Sequence, residues 1–315
     1  MKILITGVTG FVGSMAANRF AQKGFDVTGI GRKKMLPAHV DKRCKYLRED
    51  ITRPISEIDA DIVIHAAAQV DDAATYKDHY ITNVTGTWNV IQACKNVKIF
   101  LLVSTSSVYP FSSSLAYKEN EAGNEFEKLS HYGRTKFLAE KELLGATNIP
   151  HKVILRPRAI YGVGDSVLLP RLLKLVKKNY ILLPAHTTEK ISLTNIDNLL
   201  DAMENCLLSG KLKSGIYNIA DDKYYSLKKA IPLLLQSVLN RKFKILFIPV
   251  ILWKLLVRVN TVFHVIPHLT KFGSKQLTTE ALLEIEFAKK EIKYSPKKDF
   301  NESVKEIGEW YGTKK

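Results

Sequence analysis

The first 15 residues, MKILITGVTGFVGSM (residues 1–15), contain the stretch that decides the fold. Residues 2–6 predict a buried strand, and Gly7, Gly10 and Gly13 follow it at three-residue intervals. A flexible turn is one explanation of these glycines. A strand, a glycine turn and a helix in this order, however, direct backbone N–H groups and the positive end of the helix at a phosphate. The opening residues therefore predict a phosphate-binding turn.

Each glycine has a separate role in such a turn. Gly7 permits the tight turn, Gly10 lets a pyrophosphate approach the backbone, and Gly13 lets the helix pack on the strand. The spacing is one residue wider than the G-x-G-x-x-G dinucleotide fingerprint. The prediction therefore rests on the position of the turn, between the first strand and the first helix. We expect Phe11 and Val12, which lie between Gly10 and Gly13, to contact the same cofactor.

Strand and helix patterns alternate through the first half of the chain. The predicted strands are residues 2–6, 26–31, 44–48, 62–65, 99–104 and 152–155, and the predicted helices are residues 10–23, 84–95 and 132–144. This order predicts an α/β fold with a doubly wound parallel sheet, whose ligands bind at the carboxyl ends of the strands. Beyond residue 157 we predict a helix at 168–178, a strand at 215–220 and mainly helices to the end.

The charge balance allows several kinds of partner. The chain has 315 residues and a net charge of +16, which suits nucleic acid, an anionic membrane or phosphorylated ligands, and equally a solvated lysine-rich surface. The basic residues are spread along the chain and form no arm or repeat, so we do not expect nucleic acid as a partner.

Cysteine usage and hydropathy indicate a cytoplasmic protein. Cys44, Cys94 and Cys206 are far apart and lack metal-ligand or redox spacing, so we expect a reducing compartment and no metal site. The N-terminus shows no cleavage-type signal. The most apolar region, residues 245–269, is interrupted by two charges and two prolines, so we expect no membrane span.

The end of the second predicted strand bears on the choice of cofactor. An acid at that point would bind the ribose 2′-hydroxyl of NAD, but Arg32, Lys33 and Lys34 stand there instead. Because these cations suit a 2′-phosphate, we predict that NADP(H) is preferred over NAD(H). The alternatives are that Arg32 faces solvent or stacks on adenine.

Tyr132 and Lys136 form a Tyr-x-x-x-Lys pair that predicts acid/base chemistry. On a helix, positions four apart share one face, and a lysine cation lowers the pKa of a neighbouring phenol. The same spacing occurs at Tyr224/Lys228, Tyr225/Lys229, Tyr294/Lys298 and Tyr311/Lys315. Only Tyr132 follows a strand that ends in hydroxyl residues, VSTSSVY at 103–109, and opens a helix in the sheet-forming half. A surface tyrosine without chemistry is the alternative.

Seven segments in this order resemble the extended short-chain dehydrogenase/reductase family. They are TGVTGFVG (6–13), REDI (48–51), HAAA (65–68), NVTGTWNVIQAC (83–94), VSTSSVYP (103–110), HYGRTK (131–136) and ILRPRAIYGVGD (154–165). The resemblance implies a Rossmann-type domain at residues 1–157 with return strands near 190–220. A smaller, mostly helical substrate lobe would comprise residues 158–190 and 221–315.

The resemblance also implies roles for individual residues. Tyr132 would be the acid/base, Lys136 would hold the nicotinamide ribose, and the catalytic hydroxyl, four residues before Tyr109, would be Thr105. The other residues assigned to the cofactor are Asp50 and Ile51 at the adenine, Ala66, Ala67 and Ala68 along the cofactor path, and Asn83 and Pro157. Family members of this kind are homodimers, so we expect a homodimer.

The branch of the family is indicated by departures as well as matches. Dehydratases have Asp-Glu after the catalytic threonine, but this chain has Ser106 and Ser107, and Ala159 stands where many sugar-nucleotide enzymes have asparagine. The segments at 154–165, 168–178 and 194–198 are more similar to the 3β-hydroxysteroid dehydrogenase-like branch.

A predicted apolar helix around Trp253 has three interpretations. Leu252, Leu255, Leu256, Val259 and Phe263 would share one face, with Lys254 and Arg258 on another. This face would pack on the core, cap an apolar pocket or make a peripheral membrane contact.

We therefore expect an NAD(P)-dependent oxidoreductase that moves hydride between a nicotinamide and a secondary alcohol or ketone. The substrate would be a small molecule with a steroid-like or isoprenoid skeleton. The alternative is a nucleotide-sugar epimerase or 4-keto reductase with a retained cofactor. A non-catalytic cofactor-binding module is a third hypothesis.

Overall fold

The structure of the chain is a computed structural model that describes residues 1–71, 73–111, 115–178, 180–208, 214–242, 244–263 and 271–313. Its strands are β1 (Lys2–Thr6), β2 (Asp26–Gly31), β3 (Lys45–Arg48), β4 (Ile62–His65), β5 (Ile99–Val103), β6 (His151–Pro157), β7 (Ile160–Tyr161), β8 (Val176–Lys177), β9 (Tyr180–Pro184), β10 (Thr194–Asn195), β11 (Gly215–Ile219) and β12 (Lys244–Ile248). Its helices are α1 (Phe11–Gln22), α2 (Tyr76–Tyr80), α3 (Gly86–Ala93), α4 (His131–Gly145), α5 (Leu168–Lys174), α6 (Ile196–Leu208), α7 (Leu227–Leu239), α8 (Val250–Phe263), α9 (Lys271–Thr278), α10 (Glu286–Ile292) and α11 (Phe300–Gly312).

A parallel sheet forms the centre of the molecule. Among the described residues, seven strands pair in the order β11-β6-β5-β4-β1-β2-β3, and every pairing in this sheet is parallel. Strand order reverses between β1 and β4, which is the topological switch point where ligands bind in doubly wound sheets. The predicted fold class is confirmed.

Helices cover both faces of the sheet, and the central strands are buried throughout. Successive side chains point to opposite faces, so Ile3 and Ile5 pack with residues of α1 and α6, whereas Leu4 packs on the other face with residues of α3 and α4. The continuous apolar runs in β4 and β5 follow from the same double burial.

The second half differs from the prediction in three places. The helix expected at 168–178 ends at Lys174, and the chain turns through Lys178, whose φ is +45°, into the antiparallel pair of β8 and β9. Strand β12 lies in the region expected to be mainly helical and pairs in parallel with β9. In the described part of residues 190–220, β11 joins the main sheet, while β10 pairs with β7 outside it. The division of domains at residue 157 stays a prediction.

The helix predicted at 84–95 begins earlier than expected. Thr75 caps α2 through a reciprocal bond with Asp78, and a π-helical turn at Ile81–Thr85 joins α2 to α3. The extra residue in that turn shifts the apolar period, which hid the first two turns from a 3.6-residue pattern.

Helix α8 contradicts the core-packing reading of its predicted apolar face. Trp253 and Val257 are 2% and 7% exposed and form the buried side. Leu252 and Leu255 are both 56% exposed and Val259 is 43% exposed, whereas the side chain of Phe263 lies outside the described part of the structure. Among the described residues, no helix is both long and apolar enough to cross a bilayer.

A buried ion pair joins α4 to β6. Arg156 donates from Nε to Glu140 Oε1 at 3.0 Å and from Nη2 to Oε2 at 2.6 Å, and the two side chains are 2% and 1% exposed. Arg156 Nη1 also donates to the hydroxyl of Tyr109 at 3.0 Å, and the hydroxyl of Ser104 donates to Glu140. The pair therefore holds the ends of β5 and β6 against the helix that carries Tyr132.

Replacing Glu140 with glutamine tests this constraint. Glu140→Gln keeps the shape but leaves the Arg156 cation buried without a counter-charge, so the free energy of unfolding should fall by about 3–5 kcal/mol. Urea denaturation measures the change. The control is Glu57→Gln, which removes an ion pair with Lys95 whose side chains are 54% and 66% exposed. It should cost under about 1 kcal/mol. Equal losses in the two variants would contradict the assigned role of Glu140.

Candidate active site

A cavity of about 420 Å³ opens at the carboxyl ends of the strands. Ten predicted site residues line it: Gly7, Gly10, Phe11, Val12, Gly13, Ala66, Ala68, Thr105, Tyr132 and Pro157. The glycine turn and the predicted acid/base therefore face one space, although they are far apart in the sequence.

The glycine turn is shaped by its neighbours. Gly7 has φ +71°, and a Cβ there would lie 2.7 Å from the backbone N and Cα of Ala67. At Gly10, by contrast, a Cβ would meet only the Gly7 carbonyl oxygen, at 3.3 Å. Gly10 also precedes α1, whose first turn has neither a side-chain cap nor an acid. Free N–H groups at a helix start beside an open cavity fit a dinucleotide pyrophosphate.

The residues predicted at the adenosine lie at the same edge of the sheet, outside the cavity lining. Arg32 follows β2 and is exposed, Asp50 follows β3 and is half-buried, and Ile51 is buried. Burial acts to raise the pKa of Asp50, but hydrogen bonds from Thr52 and the charge of Arg32 outweigh it, so the pKa is lowered. Arg32 and Asp50 are therefore close enough to interact.

Asn83 and Ala67 support the site without lining its cavity. Asn83 is 1% exposed, and its Nδ2 donates to Thr135 Oγ1 at 3.0 Å while its Oδ1 accepts from the Gln69 amide at 2.8 Å. It thus ties the segment after β4 to α4. The amide of Ala67 donates to Thr6 Oγ1 at 3.3 Å and packs on Gly7. The structure gives both residues positioning contacts, and direct cofactor contact stays a prediction.

The first turn of α4 packs directly against the loop of hydroxyl residues. Ser130 caps this helix, and a Cβ on Gly133 would lie 2.1 Å from the carbonyl oxygen of Ser107. Only a glycine permits this approach, and it places Tyr132 beside the segment that contains Thr105. Tyr132 is half-buried and its ring lies 6.0 Å from that of His79.

Lys136 lies one turn after Tyr132 and is 1% exposed. Its Nζ donates to the carbonyl oxygen of Val103 at 2.8 Å. Burial lowers the pKa of Lys136 to about 8, against the raising effect of Glu140. Since both oxygens of Glu140 are bound by Arg156, the lysine is held near Tyr132 without an ion pair of its own among the described residues.

The hydroxyl residues before Tyr109 have different partners. Thr105 Oγ1 accepts from the Ser107 amide at 3.1 Å and lines the cavity. Ser104 is occupied by Glu140, and Ser106 Oγ is buried with no partner among the described residues. Ser106 and Ser107 line the same cavity, and Thr105 Oγ1 donates to Ser107 Oγ at 3.3 Å, so these contacts do not single out one hydroxyl. The assignment of Thr105 to substrate stays a prediction from the family resemblance.

His65 is a buried residue with no acid/base role in this geometry. Its ring nitrogens bond the hydroxyls of Thr6 at 2.7 Å and Thr87 at 3.0 Å. Burial and then the charge of Lys136 lower the pKa of His65 to about 3, so the ring is neutral near pH 7.

The sequence analysis missed residues on the substrate side of the cavity. Arg158 is 4% exposed, and the Nη2 of Arg171 donates to the carbonyl oxygen of Val70 at 2.7 Å. The apolar wall from α5 and α7 consists of Leu168, Leu172, Leu227, Ala230, Ile231 and Leu234. An Arg-Pro-Arg run at the end of a buried strand was the available signal for Arg158, whereas the wall depends on tertiary packing.

Comparison with known proteins gives relatives along the whole chain. Residues 3–220 match the model of the NAD dependent epimerase/dehydratase family. The 2-alkyl-3-oxoalkanoate reductase of Stenotrophomonas maltophilia is 28% identical over 332 residues, which cover 98% of each chain. The sterol-4-alpha-carboxylate 3-dehydrogenase of Saccharomyces cerevisiae is 32% identical over 197 residues, 56% of each chain.

Solved structures agree on the fold. UDP-glucuronic acid 4-epimerase from Bacillus cereus in complex with NAD matches with a TM-score of 0.74 at 22% identity over 99% of both chains. MoeE5 in complex with UDP-glucuronic acid and NAD matches with a TM-score of 0.78 at 17% identity over 100% of both chains. The resemblance to extended short-chain dehydrogenases is confirmed: the chain belongs to the NAD dependent epimerase/dehydratase family and is an NAD(P)-dependent oxidoreductase or epimerase.

Proposed function

We propose that the protein is a dehydrogenase or reductase that moves hydride between NADP(H) and a secondary alcohol or ketone on an apolar, steroid-like or isoprenoid body. One observation carries this proposal. Tyr132 and Thr105 line a cavity with the glycine turn on one side and the apolar wall of α5 and α7 on the other.

In this proposal each residue has a defined task. The bound nicotinamide supplies the hydride, and the protein supplies geometry and proton transfer. Thr105 donates a hydrogen bond that orients the substrate oxygen. Tyr132 gives its phenolic proton to that oxygen during reduction and takes it back during oxidation. Lys136, fixed by the Val103 carbonyl, holds the ribose and favours the phenolate of Tyr132.

The relatives support an oxidoreductase over an epimerase. A reductase named for 2-alkyl-3-oxoalkanoates matches the whole chain, and a dehydrogenase named for sterol carboxylates matches about half of it. Both names describe carboxylate-bearing substrates. The similar epimerase structures are below 25% identity and support the fold alone.

The preference for NADP(H) rests on the carboxyl end of β2. Arg32 is exposed there, and Gly31 to Lys34 include no carboxylate that would bind a 2′-hydroxyl. A guanidinium at this place suits a 2′-phosphate. The similar solved structures hold NAD, and below 25% identity they support the fold alone.

We also propose that the exposed face of α8 contacts an anionic membrane surface. Ile251 is 81% exposed beside Leu252 and Leu255, and Lys254 and Arg258 flank them. Residues 223–279 contain ten Lys or Arg and no Asp or Glu, so an anionic surface complements this part of the chain. A homodimer stays a prediction from the family resemblance.

Cofactor binding tests the NADP(H) preference. The purified protein should bind NADPH at least about 10-fold more tightly than NADH, as one charge-assisted contact provides. Arg32→Ala should remove this difference. The control is Arg43→Ala, at the amino end of β3 and thus at the opposite edge of the sheet, where it pairs with Asp41. Tighter binding of NADH to the wild type would contradict the proposal.

Isotope transfer tests the reaction itself. Deuterium from C4-labelled NADPH should appear in the alcohol product of an apolar ketone panel, with one cofactor oxidised per product. Tyr132→Phe should lower kcat about 10²–10⁴-fold with the Kd of NADPH unchanged. Tyr80→Phe, at a 41% exposed tyrosine, is the control. Cofactor that copurifies in equal amount and stays unconsumed during turnover would favour an epimerase instead.

Vesicle sedimentation tests the membrane contact. The protein should bind phosphatidylcholine vesicles only when they contain anionic phosphatidylglycerol, and salt should weaken the binding. The double variant Ile251→Asp/Leu255→Asp should lose at least about 10-fold in affinity because it places charge in the apolar face. Leu144→Asp, at a 42% exposed leucine on α4, is the control. If the double variant instead changes only self-association, the face is a contact between copies.

A further inference from the structure

Arg158 is a buried arginine at the junction of two cavities. It follows Pro157 at the end of β6, is 4% exposed, and its guanidinium carbon lies 5.0 Å from the centre of the Phe111 ring. It lines the cavity that contains Tyr132 and also a second cavity of about 270 Å³. The second cavity is bordered by Ser107 and Ser130, and no glycine-turn residue lines it. Arg158 therefore belongs to the substrate side of the site.

The guanidinium of Arg158 has no hydrogen-bond or ion-pair partner in the described part of the chain. Its Nε is buried without a hydrogen bond, and the described residues make no ion pair with it. Arg156, two residues earlier on the same strand, is equally buried but is bound by Glu140, Tyr109 and the Glu119 carbonyl. Burial alone lowers the pKa of Arg158 to about 10, so it remains a cation near pH 7.

An unpaired buried cation is costly unless something outside the chain completes it. The walls of both cavities supply no counter-charge, because the described residues that line them include no Asp or Glu. They do include Lys275 and Lys128 in the second cavity and Arg171 in the first. Lys128 is paired with Glu125, so the positive charge of the substrate side rests on Arg158 and Lys275.

The Nε edge of Arg158 is buried without a hydrogen bond, and its chemistry matches a planar anion. A guanidinium presents its Nε and one terminal nitrogen side by side, and a carboxylate accepts from both in parallel. The ring of Phe111 covers the face of the guanidinium, which leaves that edge for a ligand.

We propose that Arg158 binds a carboxylate of the substrate, so that the proposed dehydrogenase or reductase acts on apolar oxo or hydroxy acids. The inference rests on the proposed function for the oxo or hydroxy group. Tyr132 and Thr105 contact that oxygen, Arg158 holds the acid group, and the wall of α5 and α7 receives the apolar body. The diphosphate of a nucleotide sugar is a competing anionic ligand for Arg158, and the test must distinguish it from a carboxylate.

The test measures binding, which does not require turnover. With NADPH present, wild-type protein should bind decanoate at least about 10-fold more tightly than methyl decanoate in calorimetry. Arg158→Gln should abolish this difference while leaving the Kd of methyl decanoate and of NADPH unchanged. Arg158→Lys should retain part of it. Arg241→Gln, at an exposed arginine after α7, is the matched control.

Thermal unfolding separates ligand binding from a structural role. Because Arg158 has no hydrogen bond or ion pair from its side chain in the described chain, Arg158→Gln should lower the melting temperature only slightly, through loss of the contact with the Phe111 ring. A melting temperature lowered as much as in Glu140→Gln, or unaltered preference for decanoate, would overturn the proposal. Binding of UDP-glucose that depends on Arg158, with no preference for decanoate, would assign the cation to a diphosphate instead.

The proposed hydride-transfer reaction and the proposed carboxylate site at Arg158 can be disproved independently. Equal deuterium transfer to neutral ketones and to oxo acids would remove the role of Arg158 and leave the oxidoreductase standing. Decanoate binding that depends on Arg158, without any deuterium transfer, would leave an acid-binding site and remove the proposed reaction.

Discussion

The buried pair of Arg156 and Glu140 is the constraint on which the site depends. It joins β6 to α4, and through Ser104 and Tyr109 it also reaches the end of β5 and the loop that follows. Because one turn of α4 separates Glu140 from Lys136 and two turns separate it from Tyr132, fixing Glu140 fixes the side of the helix that faces the cavity.

The same interaction determines the electrostatics around Tyr132 and Lys136. Glu140 is the carboxylate nearest to Lys136 on its helix, and Arg156 occupies both of its oxygens. Within the described ranges no ion pair neutralises the lysine charge, and its ammonium is held by a neutral carbonyl at the end of β5. Burial, and after it this cation, lowers the pKa of His65 to about 3, so the ring is neutral near pH 7.

Three buried cationic residues of the site differ in how many bonding partners the protein gives them. Arg156 is saturated by protein groups and is structural. Lys136 has one carbonyl partner, and the guanidinium of Arg158 has no hydrogen-bond or ion-pair partner among the described residues. Arg158 lines both cavities, so its unfilled hydrogen-bonding capacity is available to a ligand.

Local patterns in the sequence were enough to predict the parallel sheet and the glycine turn and to single out the Tyr132/Lys136 pair. Strand burial and i,i+4 spacing depend on residues that are near neighbours in the sequence. Family resemblance was enough for the class of enzyme. The structure alone revealed that Asn83 is committed to Thr135 and Gln69, that α8 turns Leu252 and Leu255 outward, and that the guanidinium of Arg158 has no hydrogen-bond or ion-pair partner among the described residues. These properties arise from contacts between residues distant in sequence. Whether a buried charge is paired depends on what the rest of the chain brings to it, and no short stretch of sequence contains that information.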